Sequence, residues 1–420
     1  MKRFSPRLGL RRLRHDKRGN VLAMTAIALP VVLGAVGLAV DTTKWVLAKR
    51  QMQAVADSAA LSGSYTAIQG GDIDYAVDED VTRRRSEFDG LTTMATLSPS
   101  SRPGDPYAVE VVLAAPAPLT FSRLFLSKPL MISVKATATM IETGDFCAFA
   151  LDRSAEGAIT IAPNTTLQAD CGLASNSSAR NAITADASSN VTAQKLMAFG
   201  GIAALPQAGT RVRSSALRQD DPLADVQAPQ VPNTGCPNIT INGDGAGYTS
   251  LKPGCFGNLV VNGKVSLDAG NYLLNRGSIV FGPTADVTCK GCTFFLTSEN
   301  ADTAPGSIGN AVIDPKATVR LSAPTDGPYS GLLIHQDRRA APDPKDVTNR
   351  IAANSRSKIE GTLYFPAQSL TINGESSPDF GCARMIGRKL VLKGRLVIAK
   401  GCSTDSGAIL LKGAEVRLID

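Results

Sequence analysis

A short motif recurs at nearly equal intervals in the C-terminal part of this 420-residue chain. Each copy has the pattern apolar-x-apolar followed by Asn-Gly or Lys-Gly. The copies are ITING (239–243), LVVNG (259–263), LTING (370–374), LVLKG (390–394) and ILLKG (409–413), with IVFG (279–282) as a looser one. Their glycines stand at 243, 263 and 282, then at 374, 394 and 413, so successive intervals are 20, 19, 20 and 19. Such a regular period favours a repeat architecture.

A period of about 20 residues with short strands and Gly or Asn turns predicts a parallel β-helix over residues 146–420. In that fold each coil stacks on its neighbour and buries a column of apolar side chains. A β-propeller needs repeats about twice as long, and a sandwich would not explain the period. Two proline-containing stretches, 205–233 and 337–356, interrupt the pattern and predict exposed loops on this domain.

The eight cysteines provide an independent check on this stacking. Two pairs, 236 with 255 and 382 with 402, have the spacing of the motif, so one coil would place their members on neighbouring strands. Such strands lie about 4.8 Å apart, within the reach of a disulfide. The predicted pairs are Cys147–Cys171, Cys236–Cys255, Cys289–Cys292 and Cys382–Cys402. The alternative for the Cys-x-x-Cys pair, half a zinc site or a redox motif, lacks a second such pair and a βαβ context.

Val21–Val40 is a run of twenty residues without a charged side chain. A helix of this length spans roughly 30 Å, the thickness of the hydrocarbon core of a bilayer. Eight basic residues precede the run, and Asp41 is the first charged residue after it. The pattern predicts a single transmembrane helix over residues 19–41, with the N-terminus in the cytoplasm and the bulk of the chain periplasmic or extracellular.

Two alternatives exist for this run. A cleavable signal peptide is one, because Gly37-Leu38-Ala39 would pass as a cleavage site before Val40. The apolar core is longer than the about 7 to 15 residues usual for such signals, which favours a retained anchor. A buried core helix is the other, and the length of the run and its one-sided charge disfavour it.

Residues 1–18 form a basic tail with eight positive side chains and one negative side chain. Their excess of seven equals the formal net charge of +7 of the whole chain, so the remaining residues sum to zero. A nucleic-acid partner would require a basic face on a folded domain, and this charge pattern does not indicate one. The tail is expected to meet anionic lipid headgroups.

Small residues recur on one face of the predicted membrane helix, at Ala26, Pro30, Gly34 and Gly37. Such a face lets a second helix approach closely, which predicts packing against other membrane proteins. The alternative is that small residues are simply frequent in this alanine-rich chain.

Residues 42–145 predict a helix followed by a small antiparallel sheet. The helical pattern continues to Leu61, and Gly63 is a stop signal. Tyr107–Ala114 and Met131–Met140 alternate between apolar and polar residues, as half-buried strands do. A long N-terminal helix followed by a small sheet is the outline of a pilin-like subunit.

The N-terminal segment resembles that of TadG-like proteins of the Flp (Tad) pilus assembly system. The matching features are Arg18-Gly19-Asn20, Leu29-Pro30 inside the apolar run, Asp41 after it, and the alanine-rich stretch 53–60. The stretches GTLYFPAQSLTING and CTFFLTS are similar to segments in the C-terminal halves of some of these proteins. The resemblance implies a bacterial cell-envelope protein associated with a type IVb pilus apparatus.

The sequence departs from the family patterns at two places. Prepilins of this type are cut after a glycine and carry glutamate at the fifth position, whereas counting from Gly19 gives Met24 here, which favours a retained anchor. TadG-like proteins often carry a von Willebrand A domain whose metal site begins Asp-x-Ser-x-Ser. This chain has Asp152 and Ser154 but Glu156 in place of the second serine, so we assign no metal site.

No catalytic constellation is evident in the predicted coils. The second histidine, His335, has no nucleophile or base partner in a motif, and a lone histidine at a strand end is usually structural. The acidic residues among the coils do not form a close pair and are expected in turns; they are Asp268, Asp286, Asp314, Glu360 and Asp379. We therefore assign no catalytic, cofactor-binding or metal-binding residues and expect no cofactor.

The chain is thus expected to be mainly β and non-enzymatic, a membrane-anchored structural or assembly component of a Flp/Tad pilus apparatus. Its expected partners are other pilus-assembly membrane proteins, lipid headgroups, and a cell-wall or surface glycan, without nucleic acid. Two alternatives stay open, a membrane-tethered carbohydrate-binding or carbohydrate-cleaving β-helix protein and a surface adhesin.

Overall fold

The computed structural model describes residues 20–124, 126–204, 206–232, 235–243, 247–343, 348–375, 379–398, 409 and 411–419. This described part is mainly β, with two α-helices and 25 strands. Contacts divide the chain into two compact units, one ending at Ile141 and including the residues from Val416, the other spanning Glu142–Glu415. The predicted basic tail 1–18 and Cys402 lie outside the described residues.

Helix α1 (Asn20–Ile68) is 49 residues long and rises about 73 Å at about 1.5 Å per residue. It continues past Gly63, where the sequence suggested a stop. A Cβ atom on Gly63 would lie 2.8 Å from a methyl group of Val109, so glycine here permits close packing. The helix ends before Gly70, whose φ of +68° is the left-handed conformation typical of a helix C-cap.

The first unit continues with helix α2 (Ile73–Thr82) and the antiparallel strands β1 (Thr92–Leu97), β2 (Val109–Pro116) and β3 (Met131–Ala150). Strands β2 and β3 were predicted within a few residues of their starts, whereas β1 was missed because most of its side chains are exposed. Apolar side chains of the two helices and β2 that are at most 2% exposed form the core: Met52, Val55, Ala56, Ala59, Ala60, Val77, Val81, Val109, Val111 and Leu113.

Most strands of the second unit are short, with a few long ones that take part in more than one pairing. They begin with the end of β3 and continue with β4 (Ile159–Ile161), β5 (Thr166–Ser175), β6 (Ile183–Ala185), β7 (Asn190–Ala198), β8 (Ile202–Ala203), β9 (Arg211–Arg213), β10 (Ile239–Ile241), β11 (Thr249–Leu251), β12 (Gly254–Phe256), β13 (Leu259–Val261) and β14 (Lys264–Leu267). The rest are β15 (Gly270–Asn275), β16 (Ile279–Phe281), β17 (Asp286–Lys290), β18 (Cys292–Thr297), β19 (Ala311–Ile313), β20 (Thr318–Ser322), β21 (Leu332–Gln336), β22 (Asn349–Ala353), β23 (Lys358–Gly374), β24 (Asp379–Ile398) and β25 (Leu411–Leu418).

Parallel pairing arranges these strands in three series. The first contains β10, β13, β16, β19, β22, β23, β24, β4, β6 and β8 in order of pairing. The second contains β11, β14, β17, β20, β23, β24, β5 and β7. The third contains β12, β15, β18, β21, β23, β24, β3, β5, β7 and β9.

The spacing of paired residues follows the motif only in part. Ile239 pairs with Leu259, and Leu259 pairs with Ile279, so these two steps have the period of the motif. The next step is longer, because Ile279 pairs with Ala311. The step from Ile159 to its partner in β6 also exceeds the period of the motif. The expected regular period is therefore wrong for these coils, because insertions lengthen the turns while the strands keep their register.

The order of stacking differs from the order of the chain. Strands of residues 239–398 stack in sequence, and β24 then pairs with β3, β4 and β5 from the earlier part of the unit. The strands of residues 146–213 thus extend the stack beyond its C-terminal coil. The chain must return from β9, the last strand of the third series, to β10, the first strand of the first series. These strands lie at opposite ends of the stack, and nine spacings of about 4.8 Å per strand put the ends about 43 Å apart.

Residues 214–232, the return segment, cover this distance along the third series. Gln219 hydrogen bonds with Asn176, Asp221 accepts from Tyr364, and the carbonyl of Gln227 accepts from Tyr329. Ala216, Leu217 and Leu223 are buried. Ten of residues 214–232 are exposed and four are buried, so this stretch is largely an exposed loop that a few buried side chains hold on the sheet.

Two apolar layers result from the alternation of side chains along the strands. Phe294 belongs to the large inner cluster, whereas its neighbour Phe295 points to the opposite face. There it packs in a second cluster that includes Ile386 and Leu223 of the return segment. The return segment therefore buries an apolar outer face that would otherwise meet water.

Candidate functional site at the membrane helix

The N-terminal half of α1 leaves its apolar side chains uncovered by the protein. Val21, Ile27 and Val31 are 75, 75 and 70% exposed. Among the described helices α1 is the one long and apolar enough to cross a membrane, with a mean hydropathy of 2.0 in its most apolar window. A helix in a water-soluble fold normally buries one apolar stripe, so exposure on this scale fits a lipid environment.

Asp41 ends this apolar run and is fully buried. Its Oδ2 atom accepts hydrogen bonds from the backbone amides of Thr120, Phe121 and Ser122 at 3.3, 2.9 and 2.5 Å. These amides belong to residues 117–130, the β2–β3 loop. A buried carboxylate that accepts several amide hydrogen bonds is strongly held, so Asp41 ties the loop to the helix.

Two further side chains of α1 bind the same loop. The indole Nε1 of Trp45 donates to the carbonyl of Pro118 at 2.8 Å, and Nζ of Lys44 donates to Oγ1 of Thr120 at 2.8 Å. Asp41, Lys44 and Trp45 have the i, i+3, i+4 spacing that places side chains on one helix face. The sequence marked Asp41 only as the first charge after the run, because its loop partners are far away along the chain.

The predicted small-residue face is divided by the same loop. A Cβ atom on Gly37 would lie 2.8 Å from Cβ and Cγ of Phe121, so the phenylalanine packs directly on the glycine. Gly34 lines a cavity of about 380 Å³ together with Phe121 and other residues of the loop and helix. Ala26 and Pro30 are exposed. Of the four small residues, Ala26 and Pro30 thus form the half of the face that is open for another helix.

The described cysteines lie in the second unit. Disulfides join Cys147 to Cys171, Cys236 to Cys255 and Cys289 to Cys292, with Cα atoms 5.7, 5.0 and 6.1 Å apart. Cys382 is also disulfide-bonded, and none of the described cysteines is free. Cys147 and Cys171 lie on paired strands of the third series, whereas Cys289 and Cys292 flank the turn between β17 and β18 within one coil.

Asp152, the residue compared with a metal-site motif, lies in a turn. Its Oδ1 accepts the amides of Ser154 and Ala155 at 2.9 and 2.8 Å, and its Oδ2 accepts from Arg388 at 3.0 Å. Burial alone would raise the pKa of Asp152, but these hydrogen bonds and the arginine charge hold it below its ordinary value. The carboxylate therefore stabilises a turn and is already occupied.

The other acidic residues considered as candidates are likewise engaged with neighbouring groups, each at a separate place. Asp286 pairs with Arg320 at 2.6 Å, Glu360 pairs with Lys358 at 2.8 Å, and Asp314 accepts the amide of Lys316. Asp268 accepts from Ser250 at 3.3 Å, and the Asp379 side chain lies outside the described ones. No two of these described carboxylates are brought together as an acid and base pair.

His335 is buried between aromatic rings. Its ring lies 5.1 Å from that of Tyr364 and 5.6 Å from that of Phe295, measured between centroids. Neither ring nitrogen has a hydrogen-bond partner among the described residues. Burial lowers the pKa of His335 to about 4, and the backbone of Val226 and the Asp337 carboxylate, which both favour the charged ring, offset this only in part. The imidazole is therefore neutral near pH 7 and packs as an aromatic ring.

A polar trough follows the outer face of the second series. It has a volume of about 470 Å³ and is lined by residues including Thr288, Lys290, Arg320, Lys358 and Glu360. These side chains come from β17, β20 and β23, which stack side by side. Across the described residues, no cluster of three or more His, Cys, Asp or Glu side chains is arranged to hold a metal ion.

The comparisons with known proteins concern α1. Residues 19–69 match a family model described as putative Flp pilus-assembly TadE/G-like, which confirms the resemblance found in the sequence for this segment. The match covers the apolar run, Asp41 and the remainder of the long helix. No curated protein and no solved structure matches the chain significantly.

Proposed function

We propose that the chain is a structural or assembly component of a Flp/Tad type IVb pilus apparatus in the bacterial cytoplasmic membrane. Residues 19–41 form its single transmembrane helix, the tail 1–18 stays in the cytoplasm near anionic lipid headgroups, and the remainder is periplasmic or extracellular. The exposed apolar half of α1, inside the segment that matches the TadE/G-like family model, carries this proposal.

The part outside the membrane consists in this proposal of a pilin-like region, residues 42–145, and a disulfide-stapled parallel β-helix, residues 146–420. Supporting observations are the three parallel strand series and the inner apolar cluster that extends through them. The disulfides between and within coils fit an oxidising compartment outside the cytoplasm.

The proposed role is structural, without catalytic, cofactor-binding or metal-binding residues. In support, the described carboxylates of the coils bind neighbouring turns or basic side chains, and His335 is a neutral ring inside an aromatic stack. A general acid or base needs a pKa and a partner suited to proton transfer, and these groups are instead engaged in ion pairs, turns and an aromatic stack.

A topology reporter tests the orientation. A reporter that is active only outside the cytoplasm, fused after Asp420, is expected to be active. The same reporter fused after Asp16 of a truncated chain is the control and is expected to be inactive. Activity of the second fusion contradicts the proposed topology. So does an inactive first fusion, if a reporter that works only in the cytoplasm is active when fused at the same position.

Partners of the membrane helix are tested by photocrosslinking in native membranes. A photoreactive residue at Ala26, on the open half of the small-residue face, is expected to capture another pilus-assembly membrane protein. Met24 lies about 3 Å from Ala26 along the helix axis, on the opposite side of the helix, and is 65% exposed, so it is the matched control. Equal capture from both positions would indicate that the small-residue face is not the contact.

A second candidate function is glycan binding, which the polar trough beside Arg320 favours. Hydroxyl and charged groups along stacked strands provide hydrogen-bond partners for a cell-wall or surface glycan. The full chain is expected to cosediment with purified peptidoglycan, and Arg320→Ala is expected to weaken this, whereas Arg276→Ala, outside the trough, is not. Glycan release on incubation would instead indicate the carbohydrate-cleaving alternative.

A further inference from the structure

We propose that the β2–β3 loop, residues 117–130, is a second membrane contact that enters the outer leaflet beside α1. Its apolar side chains, including Phe121 and Leu124, would lie in the hydrocarbon, with Arg123 and Lys128 at the headgroups. This inference depends on the proposed membrane span and adds a lipid-binding surface to it.

The depth of the loop follows from its attachment to α1. Asp41 holds its backbone, and Phe121 packs on Gly37 and lines a cavity with Gly34. Gly34 lies about 10 Å along the helix axis from Asp41, at about 1.5 Å per residue. Since these helix residues belong to the uncharged run, the loop that covers them lies at the same depth as the last turns of the span.

The loop exposes apolar side chains at this level. Leu124 is 81% exposed and Phe121 is 46% exposed, and Leu130 and Met131 at the end of the loop are exposed as well. Leu124 stands in a 3-10 turn, Ser122–Leu124, that turns it away from the protein. An apolar patch next to a membrane helix is continuous with the surface of the span.

The part of the loop that packs on α1 meets the main requirement for entering lipid, which is that backbone polar groups find partners inside the protein. The amides of Thr120, Phe121 and Ser122 donate to Asp41. The amide of Leu124 donates to the carbonyl of Phe121, and that of Leu126 donates to the carbonyl of Ser122. The buried Asp41 carboxylate therefore supplies the hydrogen-bond acceptor for three loop amides, which would otherwise be unpaired in lipid.

The charge of the loop identifies lipid as the occupant. The loop contains Arg123 and Lys128 and no acidic residue, and Lys44 and Trp45 of α1 lie at the same level. Basic side chains beside apolar ones match an anionic bilayer surface, which attracts positive charge close to the membrane. Trp45 has the position of an interfacial aromatic residue.

Fluorescence quenching in vesicles tests the inference. The full chain is reconstituted in phosphatidylethanolamine and phosphatidylglycerol, with a thiol-reactive fluorophore at Leu124→Cys and nitroxides on the lipid acyl chains. The described native cysteines are disulfide-bonded, so they do not compete with the new thiol for the label. Because Leu124 is exposed, the substitution spares the core. We expect loss of fluorescence on quenching at Leu124 and none at Tyr75→Cys, an exposed control on α2.

A third label separates this inference from the proposed function. Val31→Cys, in the middle of the apolar run, is expected to be quenched. Quenching at Val31 but not at Leu124 overturns the loop contact and leaves the span intact. Absence of quenching at Val31 overturns the span itself. The Leu124 label could also remain in water in vesicles and be shielded in native membranes. That result would assign the apolar surface of the loop to a protein partner and would also overturn the lipid contact.

Discussion

The Oδ2 atom of Asp41 accepts a hydrogen bond from the backbone amide of Phe121 at 2.9 Å, which links the end of the apolar run to a loop 80 residues further on. The side chain of the same phenylalanine packs on Gly37, one helical turn earlier. One residue of the loop is thus fixed at two levels of α1, by its amide and by its ring.

Asp41→Ala is expected to release the β2–β3 loop. The substitution leaves three amides without their acceptor, and a hydrogen bond to a charged group contributes about 2 kcal/mol. Hydrogen exchange by mass spectrometry should show faster exchange for peptides that cover residues 117–130. Thr43→Ala is the control, since its hydroxyl bonds only to its own helix at Ala39. Unchanged exchange in Asp41→Ala would show that the loop is held by other contacts.

Gly37→Ala and Gly34→Ala should differ although both add one methyl group to the same helix face. At Gly37 the new Cβ meets Phe121 at 2.8 Å, whereas at Gly34 it meets nothing within 4 Å. We expect Gly37→Ala to destabilise the first unit by about 1–3 kcal/mol, as overpacking does. Thermal melting in detergent measures the difference, and equal melting temperatures for the two variants would contradict the packing described.

Asp221→Ala is expected to loosen the return segment. Its carboxylate accepts hydrogen bonds from the Tyr364 hydroxyl at 2.8 Å and from Arg338 at 3.1 Å, which hold the segment on the third series. Limited proteolysis should then cut within residues 214–232 faster than in the unaltered chain. Asp225→Ala, on an exposed residue of the same segment, should leave the cleavage rate unchanged.

Acidification should destabilise the fold through His335. The pKa of His335 is about 4 in the folded chain because the ring is buried, whereas it is about 6.5 when unfolded. Between these values the unfolded state binds a proton that the folded state does not, so stability present above about pH 6.5 is lost as the pH falls towards about 4. The loss amounts to about 3 kcal/mol at most.

His335→Phe is expected to remove this share of the pH dependence. Phenylalanine fits between the rings of Phe295 and Tyr364 and leaves no ring nitrogen unpaired. Melting temperatures measured at several pH values should fall less steeply for the variant between about pH 6.5 and 4. Parallel curves for the two proteins would show that other groups govern this range.

Mass mapping of the unreduced chain is expected to find Cys382 linked to Cys402. Cys382 is disulfide-bonded, and a spacing of one motif period predicts Cys402 as its partner. The mapping should also find the three other pairs, Cys147–Cys171, Cys236–Cys255 and Cys289–Cys292. A free thiol at Cys402 would count against the predicted link between these coils.

The sequence by itself determined the local features of this protein. The uncharged run predicted α1 and its apolar surface, and the family resemblance rested on the same residues. The spacing of Ile239, Leu259 and Ile279 predicted which strands pair, because parallel strands one coil apart repeat at the length of the coil. These features are encoded close together along the chain, so the period and composition of a short window suffice to reveal them.

Tertiary structure alone decided how distant segments meet. The free edge of β24 is covered by β3, β4 and β5, although these strands come from the opposite end of the second unit's sequence. That arrangement requires the return segment, whose burial of Leu223 has no periodic signal. The contact between Asp41 and Phe121 is of the same kind. A carboxylate and an amide are complementary wherever they meet, so only the folded chain specifies which amide Asp41 binds.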